Sequence, residues 1–214
     1  MSGGDPASPF PFIVPELTQV MASHGAGATT EVAYTNSELL QEGDIILVMS
    51  AADGGVLSHA NTGDYTKLIE GNASVCSDVW YRVVGPTPPT TVLQINGTIA
   101  VACLAVTIRD SRGIRGTFED YAFTSASSLA AAVATCAEAN ELVVTYVAID
   151  DRNSAPGIFP SPDDNLAAAR GGGTTAMATL VSSGAGAVTW PTPNWGAFGS
   201  EPIIRAAFSF SPIV

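Results

Sequence analysis

Apolar residues in this chain fall in short runs separated by Gly, Pro, Asn and Asp, with no sustained helical period. Ile45–Ser50 is a continuous apolar run behind the turn Glu42-Gly43-Asp44, the pattern of a strand buried on both faces. Ile99–Arg109 and Glu141–Ile149 read the same way. Thr30–Thr35, Tyr65–Glu70, Ser74–Val84, Thr91–Ile95, Thr174–Ser182, Val188–Trp190 and Ile203–Phe210 complete the predicted strands. Within Ser74–Val84, alternation places Val75, Ser77, Val79, Tyr81 and Val83 on one face, and Cys76, Asp78, Trp80 and Arg82 on the other. Ser127–Glu138 is ambiguous. Its alanines favour a helix capped by Ser127 or Ser128, while its short length and all-β surroundings favour a strand, which is the expectation. Residues 110–124, containing Gly113 and Gly116, read as a connection, and 150–165 as a polar loop.

Residues 1–30 are rich in Gly, Ala, Pro, Ser and Thr and read as an extended N-terminal arm. The arm carries one apolar patch, Phe10, Phe12, Ile13 and Val14, interrupted by Pro11 and Pro15. Proline removes a ladder donor, so the patch suits an edge strand or an extended segment that docks on a partner.

The pattern repeats. Asp44-Ile45-Ile46-Leu47-Val48 aligns with Glu141-Leu142-Val143-Val144-Thr145 at a shift of 97, and the same shift brings Trp80–Val84 onto Met177–Val181. After a few inserted residues Cys103–Ile108 meets Ile204–Ser209. Pseudo-repeats of about 44–110 and 141–212 fit two tandem domains, or two halves of one sandwich that each give strands to both sheets. The second is the expectation, because roughly 70 residues of strand per half is thin for an independent core. The predicted organisation is therefore an arm over 1–30 and a single sandwich domain over 31–214.

Composition narrows the partners. Eight Lys+Arg against 20 Asp+Glu give a formal net charge of −12, which repels phosphate and excludes an electrostatically driven nucleic-acid binder. No apolar run is long enough for a membrane-spanning helix, and the start of the chain lacks a signal-peptide pattern, so neither membrane insertion nor secretion is expected. Cys76, Cys103 and Cys136 are too far apart for a metal motif and read as buried thiols.

Catalytic chemistry is not expected. The two histidines, His24 and His59, have no partner at metal-ligand spacing, and no nucleophile elbow is present. Asp53, Asp150, Asp151, Asp163 and Asp164 are hard-oxygen candidates for Ca²⁺, but their spacing matches no cation loop, and solvated loops are the simpler reading. No cofactor, metal or catalytic residue is assigned. Trp190, Trp195 and Phe198 sit in a Pro/Asn/Gly loop and are candidates for a ligand-stacking or docking surface.

Several segments together carry a resemblance: Glu42–Val48, Ala52-Asp53-Gly54-Gly55, Val79–Val83, Thr107-Ile108-Arg109, Asn140–Val144 and Ala206–Pro212. Their succession resembles the small jelly-roll structural proteins of tailed bacteriophages, which serve as capsid decoration, head-fibre or tail-associated proteins. Where that family often has a Gly-Trp loop after the first Asp-Gly, this chain has Gly63-Asp64-Tyr65-Thr66-Lys67-Leu68. The resemblance implies an all-β, jelly-roll-like sandwich without enzymatic activity. It also implies a homo-oligomer, on analogy a trimer, located in the virion and made in the host cytoplasm. The implied role is a capsid decoration or cement protein on the particle exterior, with other virion proteins, the major capsid protein first, as partners. The alternative is a carbohydrate-binding adhesin module on a tail or fibre.

Overall fold

The computed structural model describes residues 12–25, 29–33, 39–52, 57–60, 62–70, 76–89, 91–97, 101–122, 132–149, 165–170, 174–188 and 202–213. They form antiparallel sheets with almost no helix, as the apolar pattern requires. The first half contributes β1 (Glu16–Gly25), β2 (Thr29–Ala33), β3 (Ile45–Ala52), β4 (Leu57–Ala60), β5 (Thr66–Glu70), β6 (Cys76–Val83), β7 (Thr91–Gly97) and β8 (Val101–Arg109). The second contributes β9 (Ser111–Ala122), β10 (Thr135–Cys136), β11 (Leu142–Ile149), β12 (Asn165–Arg170), β13 (Thr174–Val181), β14 (Gly186–Ala187) and β15 (Pro202–Pro212).

Two five-stranded sheets make the body. One has the order β1-β8-β3-β6-β5, the other β9-β15-β11-β13-β12. Position by position, the two orders are the same. A three-stranded sheet, β2-β7-β4, lies against β6 and β8 of the first large sheet, and the ribbon β10-β14 belongs to the second half. Each half thus supplies one whole large sheet, whereas the sequence reading expected each to give strands to both.

The main core lies between the large sheets. Ile45, Leu47, Met49, Val79, Leu104, Val106 and Ile108 from one meet Val144, Tyr146, Met177, Ala206, Phe208 and Phe210 from the other. The alternate residues of the second sheet, Val143, Val147, Ala176, Ala178, Ile203 and Ala207, face away and are buried under Ala132, Ala134, Cys136 and Val188. Strand β3 is likewise buried at all eight positions, which explains why it carries a continuous apolar run instead of an alternation.

The ladders also correct the alignment of the halves. Met49 pairs with Val79 and Leu104, and Tyr146 pairs with Met177 and Ala206. Val79 therefore corresponds to Met177, and Ile108 to Phe210, one residue away from the sequence alignment. A slip of one residue inverts every side chain in a strand. The structural register keeps Val79, Met177, Ile108 and Phe210 all in the main core.

Three other expectations change. Residues 16–25 lie in the predicted arm but form β1, paired along nearly all of β8, with Leu17 and Val20 against the core. Small and polar residues suffice there because β1 is a sheet edge. Residues 111–122 are not a connection but β9. A Cβ at Gly116 would sit 2.8 Å from Cδ1 of the buried Phe208 ring, so the glycine admits the ring rather than breaking the strand. Of Ser127–Glu138, residues 127–131 lie outside the described residues, and among the rest Thr135–Cys136 is a strand. Strands β4 and β12 were not foreseen. They are short, and β12 is alanine-rich and bulged between Leu166 and Ala169.

Candidate functional site

One end of the sandwich gathers two buried carboxylates, the arginines that approach them and most of the exposed large apolar side chains. Ile45 pairs with both Val83 and Ile108, so Asp44, Val83 and Arg109 lie at one end of the first large sheet. Leu142 pairs with Val181 and Phe210, which puts Glu141, Val181 and Ser211 at one end of the second. Only Asp110 separates β8 from β9, and Ile13 and Ile213 form an antiparallel bridge, so the two ends are the same end of the molecule.

Each half builds this end on the same turn. Gly43 and Asn140, equivalent positions, both take positive φ, 93° and 65°. Gly43 N–H donates to Val84 O and Val84 N–H to Asp44 O. In the second half Asn140 N–H donates to Ser182 O and Ser182 N–H to Glu141 O. A buried carboxylate follows in each case.

The two carboxylates are satisfied differently. Asp44, 2 % exposed, accepts Arg109 Nε on Oδ1 and Arg109 Nη2 on Oδ2, each at 2.9 Å, and the Gln41 amide at 2.8 Å. Arg109 Nη2 also donates to Leu39 O. This bidentate bond raises the Arg109 guanidinium further above its ordinary value. Position 211, equivalent to 109, is a serine. Glu141 Oε1 accepts the Ala137 and Glu138 amides, and Arg115 Nη1 approaches it only to 3.9 Å. Glu141 Oε2 is buried without a hydrogen-bond partner among the described residues. Arg112 bonds Glu138 Oε1 and Pro212 O. An open depression of about 360 Å³, lined by Arg112, Gly113, Ile114, Arg115 and Ser211, occupies this part of the surface.

Around these groups six large apolar side chains face solvent: Phe12, Ile13, Val14, Leu39, Val83 and Val181. Val83 and Val181 occupy equivalent positions and are 55 % and 45 % exposed. Of the sequence-derived docking residues, Phe12, Ile13 and Val14 belong to this end, while Phe10, Trp190, Trp195 and Phe198 lie outside the described residues. Leu39, Val83 and Val181 were not foreseen. The alternation in β6 places Val83 on the core face with Val79, yet it is exposed while its ladder partner Ile45 is buried.

The other sequence candidates are not brought together. His24 lies in β1 and His59 in β4, the acidic loop residues Asp53, Asp150, Asp151, Asp163 and Asp164 are outside the described residues, and no metal-ligating group of three occurs among the described residues. Cys103 and Cys136 are free and buried; burial pushes both thiols up, and Glu141 adds to the effect at Cys136. At the β5 edge Lys67 Nζ sits 4.8 Å from the Trp80 ring centroid and 3.4 Å from Glu70, so an ammonium already covers one face of that indole. No helix among the described residues is long and apolar enough to cross a membrane.

No protein-family model matches the chain, and comparison with curated proteins and with solved structures finds no similar chain.

Proposed function

We propose that this protein is a non-enzymatic virion structural protein of a tailed phage, a capsid decoration or cement protein that docks on the particle exterior through the end of the sandwich described above. The observation that carries the reading is the concentration of exposed apolar side chains there. Monomeric surfaces scatter such residues singly, and their gathering at one end makes it a candidate contact site. Six of the exposed large apolar residues sit at the end that holds the Asp44 and Glu141 turns, over paired strands and ion pairs.

The strand orders support a finer description of the fold. A jelly roll of eight strands places first-eighth-third-sixth in one sheet and second-seventh-fourth-fifth in the other. Strands β1-β8-β3-β6 and β2-β7-β4 follow that order, with β5 departing to join β6. Strands β9-β15-β11-β13 and β10-β14 repeat it. On this reading the chain is two jelly rolls back to back, fused through the main core. Duplicated jelly rolls suit a scaffold in an assembly, although fold alone does not assign function. The residues that resemble phage structural proteins supply the virion context.

The test is to mix the purified protein with particles that lack it and measure co-sedimentation and thermal stability of the particle. Saturable binding that raises the temperature of genome release supports the cement role. Absence of binding overturns it. A glycan array covers the adhesin alternative: sugar binding that Trp195→Ala abolishes would replace the cement reading.

A further inference from the structure

We infer that the partner surface this end accepts is apolar and basic. The inference rests on the docking reading above. Three arginines and six carboxylates lie at this end among the described residues: Arg109, Arg112 and Arg115 against Glu16, Glu42, Asp44, Asp110, Glu138 and Glu141. Arg109 and Arg112 are engaged with Asp44 and Glu138, and Arg115 stands 3.9 Å from Glu141. Glu16, Glu42 and Asp110 are left with no ion pair among the described residues. Glu16 and Glu42 are exposed, and Asp110 is half-buried.

Three arginines against six carboxylates leave this end net negative, and it also carries the exposed apolar side chains. Asp110 occupies the single position between β8 and β9 with φ 59°, a left-handed conformation that Asp tolerates. Glu16 opens β1 opposite Arg109, and Glu42 opens the turn before Asp44. Like charges placed across an interface repel. A second copy of this end, in a chain of net charge −12, is therefore a poor occupant. A protein surface with Lys or Arg around an apolar centre is complementary. The apolar residues then hold the complex and the carboxylates steer its formation.

The experiment is particle binding followed by interferometry, with the wild type, the triple variant Glu16→Gln/Glu42→Gln/Asp110→Asn, and the double variant Val83→Ser/Val181→Ser. Asparagine keeps the tolerance for positive φ at 110, and all five positions are solvent-accessible, so the fold is retained; circular dichroism checks this. The expected result is association that slows as NaCl rises, roughly tenfold slower association for the charge variant at low salt, and faster dissociation for the valine variant. Wild-type binding with no salt dependence and an unchanged charge variant overturns the inference while leaving the docking reading intact. Faster association of the charge variant also overturns it, since the partner would then be acidic. Failure of the wild type to bind removes both. Sedimentation velocity of the free protein adds one more check: end-to-end dimers that the valine variant abolishes would make a second copy the occupant.

Discussion

Removing a single hydroxyl from the main core tests how the two halves are joined. Tyr146, on β11, reaches across the interface and donates to Ser50 O at 3.1 Å while its oxygen lies 2.6 Å from Ser77 Oγ. Both serines belong to the other large sheet, and Tyr146 and Ser77 are buried. With the phenol proton given to Ser50, Ser77 donates to the phenol oxygen. Tyr146→Phe keeps the ring but deletes a bond to a carbonyl and orphans a buried hydroxyl, a loss of about 1–2 kcal/mol. Ser77→Ala alone leaves the Tyr146–Ser50 bond and costs about 1 kcal/mol. In the double variant the orphaned hydroxyl is gone, so the two losses should sum to less than their separate values by about 0.5–1.5 kcal/mol. Urea denaturation measures this, and Tm should fall about 2–4 °C per kcal/mol for a chain of this size. Losses that add within about 0.3 kcal/mol, or a Tyr146→Phe protein as stable as the parent, would refute the bridging role.

The same phenol sets a pH signature. Burial pushes it well above its ordinary value of 10.0, with the Ser77 bond opposing only in part. The unfolded phenol ionises from about pH 10 while the folded one stays protonated, so the native state binds more protons there and stability falls as pH rises. The stability gap between wild type and Tyr146→Phe should therefore narrow above about pH 10.

Four further outcomes are expected. Arg109→Gln strands the buried Asp44 carboxylate and should cost about 3–5 kcal/mol, against near-neutrality for a solvent-facing charge; chemical denaturation distinguishes them. Gly116→Ala drives a methyl into the Phe208 ring and should cost about 1–3 kcal/mol, recovered in part by Phe208→Leu, as read by Tm. Ser211→Arg restores in the second half the cation that Arg109 provides in the first and gives Glu141 Oε2 a donor; the denaturation midpoint should rise by about 1 kcal/mol, and no rise would sink the equivalence of the two turns. Cys103 and Cys136 should resist thiol reagents in the native protein and react on unfolding, with mass spectrometry reporting each site.

The amino-acid sequence by itself determined the strands that bury large apolar side chains. Ile45–Ala52, Leu142–Ile149 and Val101–Arg109 are readable because burial on both faces demands an uninterrupted apolar run. The doubled turn and acid at Gly43-Asp44 and Asn140-Glu141 is equally local, since a left-handed residue before a strand leaves a short signature. Edge elements were not legible. Strands β1, β4 and β12 present small or polar residues, and β9 carries two glycines, because a strand supported on one side satisfies only half the packing demand. Register was missed by one residue, since apolar runs align almost equally well at neighbouring shifts and only the facing sheet chooses between them.

Tertiary structure alone decided the docking end. Val83 and Val181 have the alternation of core residues yet are exposed beside buried ladder partners, Ile45 and Leu142. Phe12–Val14 is distant in sequence from Leu39, Val83 and Val181. The Ile13–Ile213 bridge and the single residue between β8 and β9 bring their ends together. Charge followed the same rule: composition counts every arginine and carboxylate, but which of them meet depends on the pairs Arg109–Asp44, Arg112–Glu138 and Arg115–Glu141, each between a strand and a turn that no local pattern places side by side.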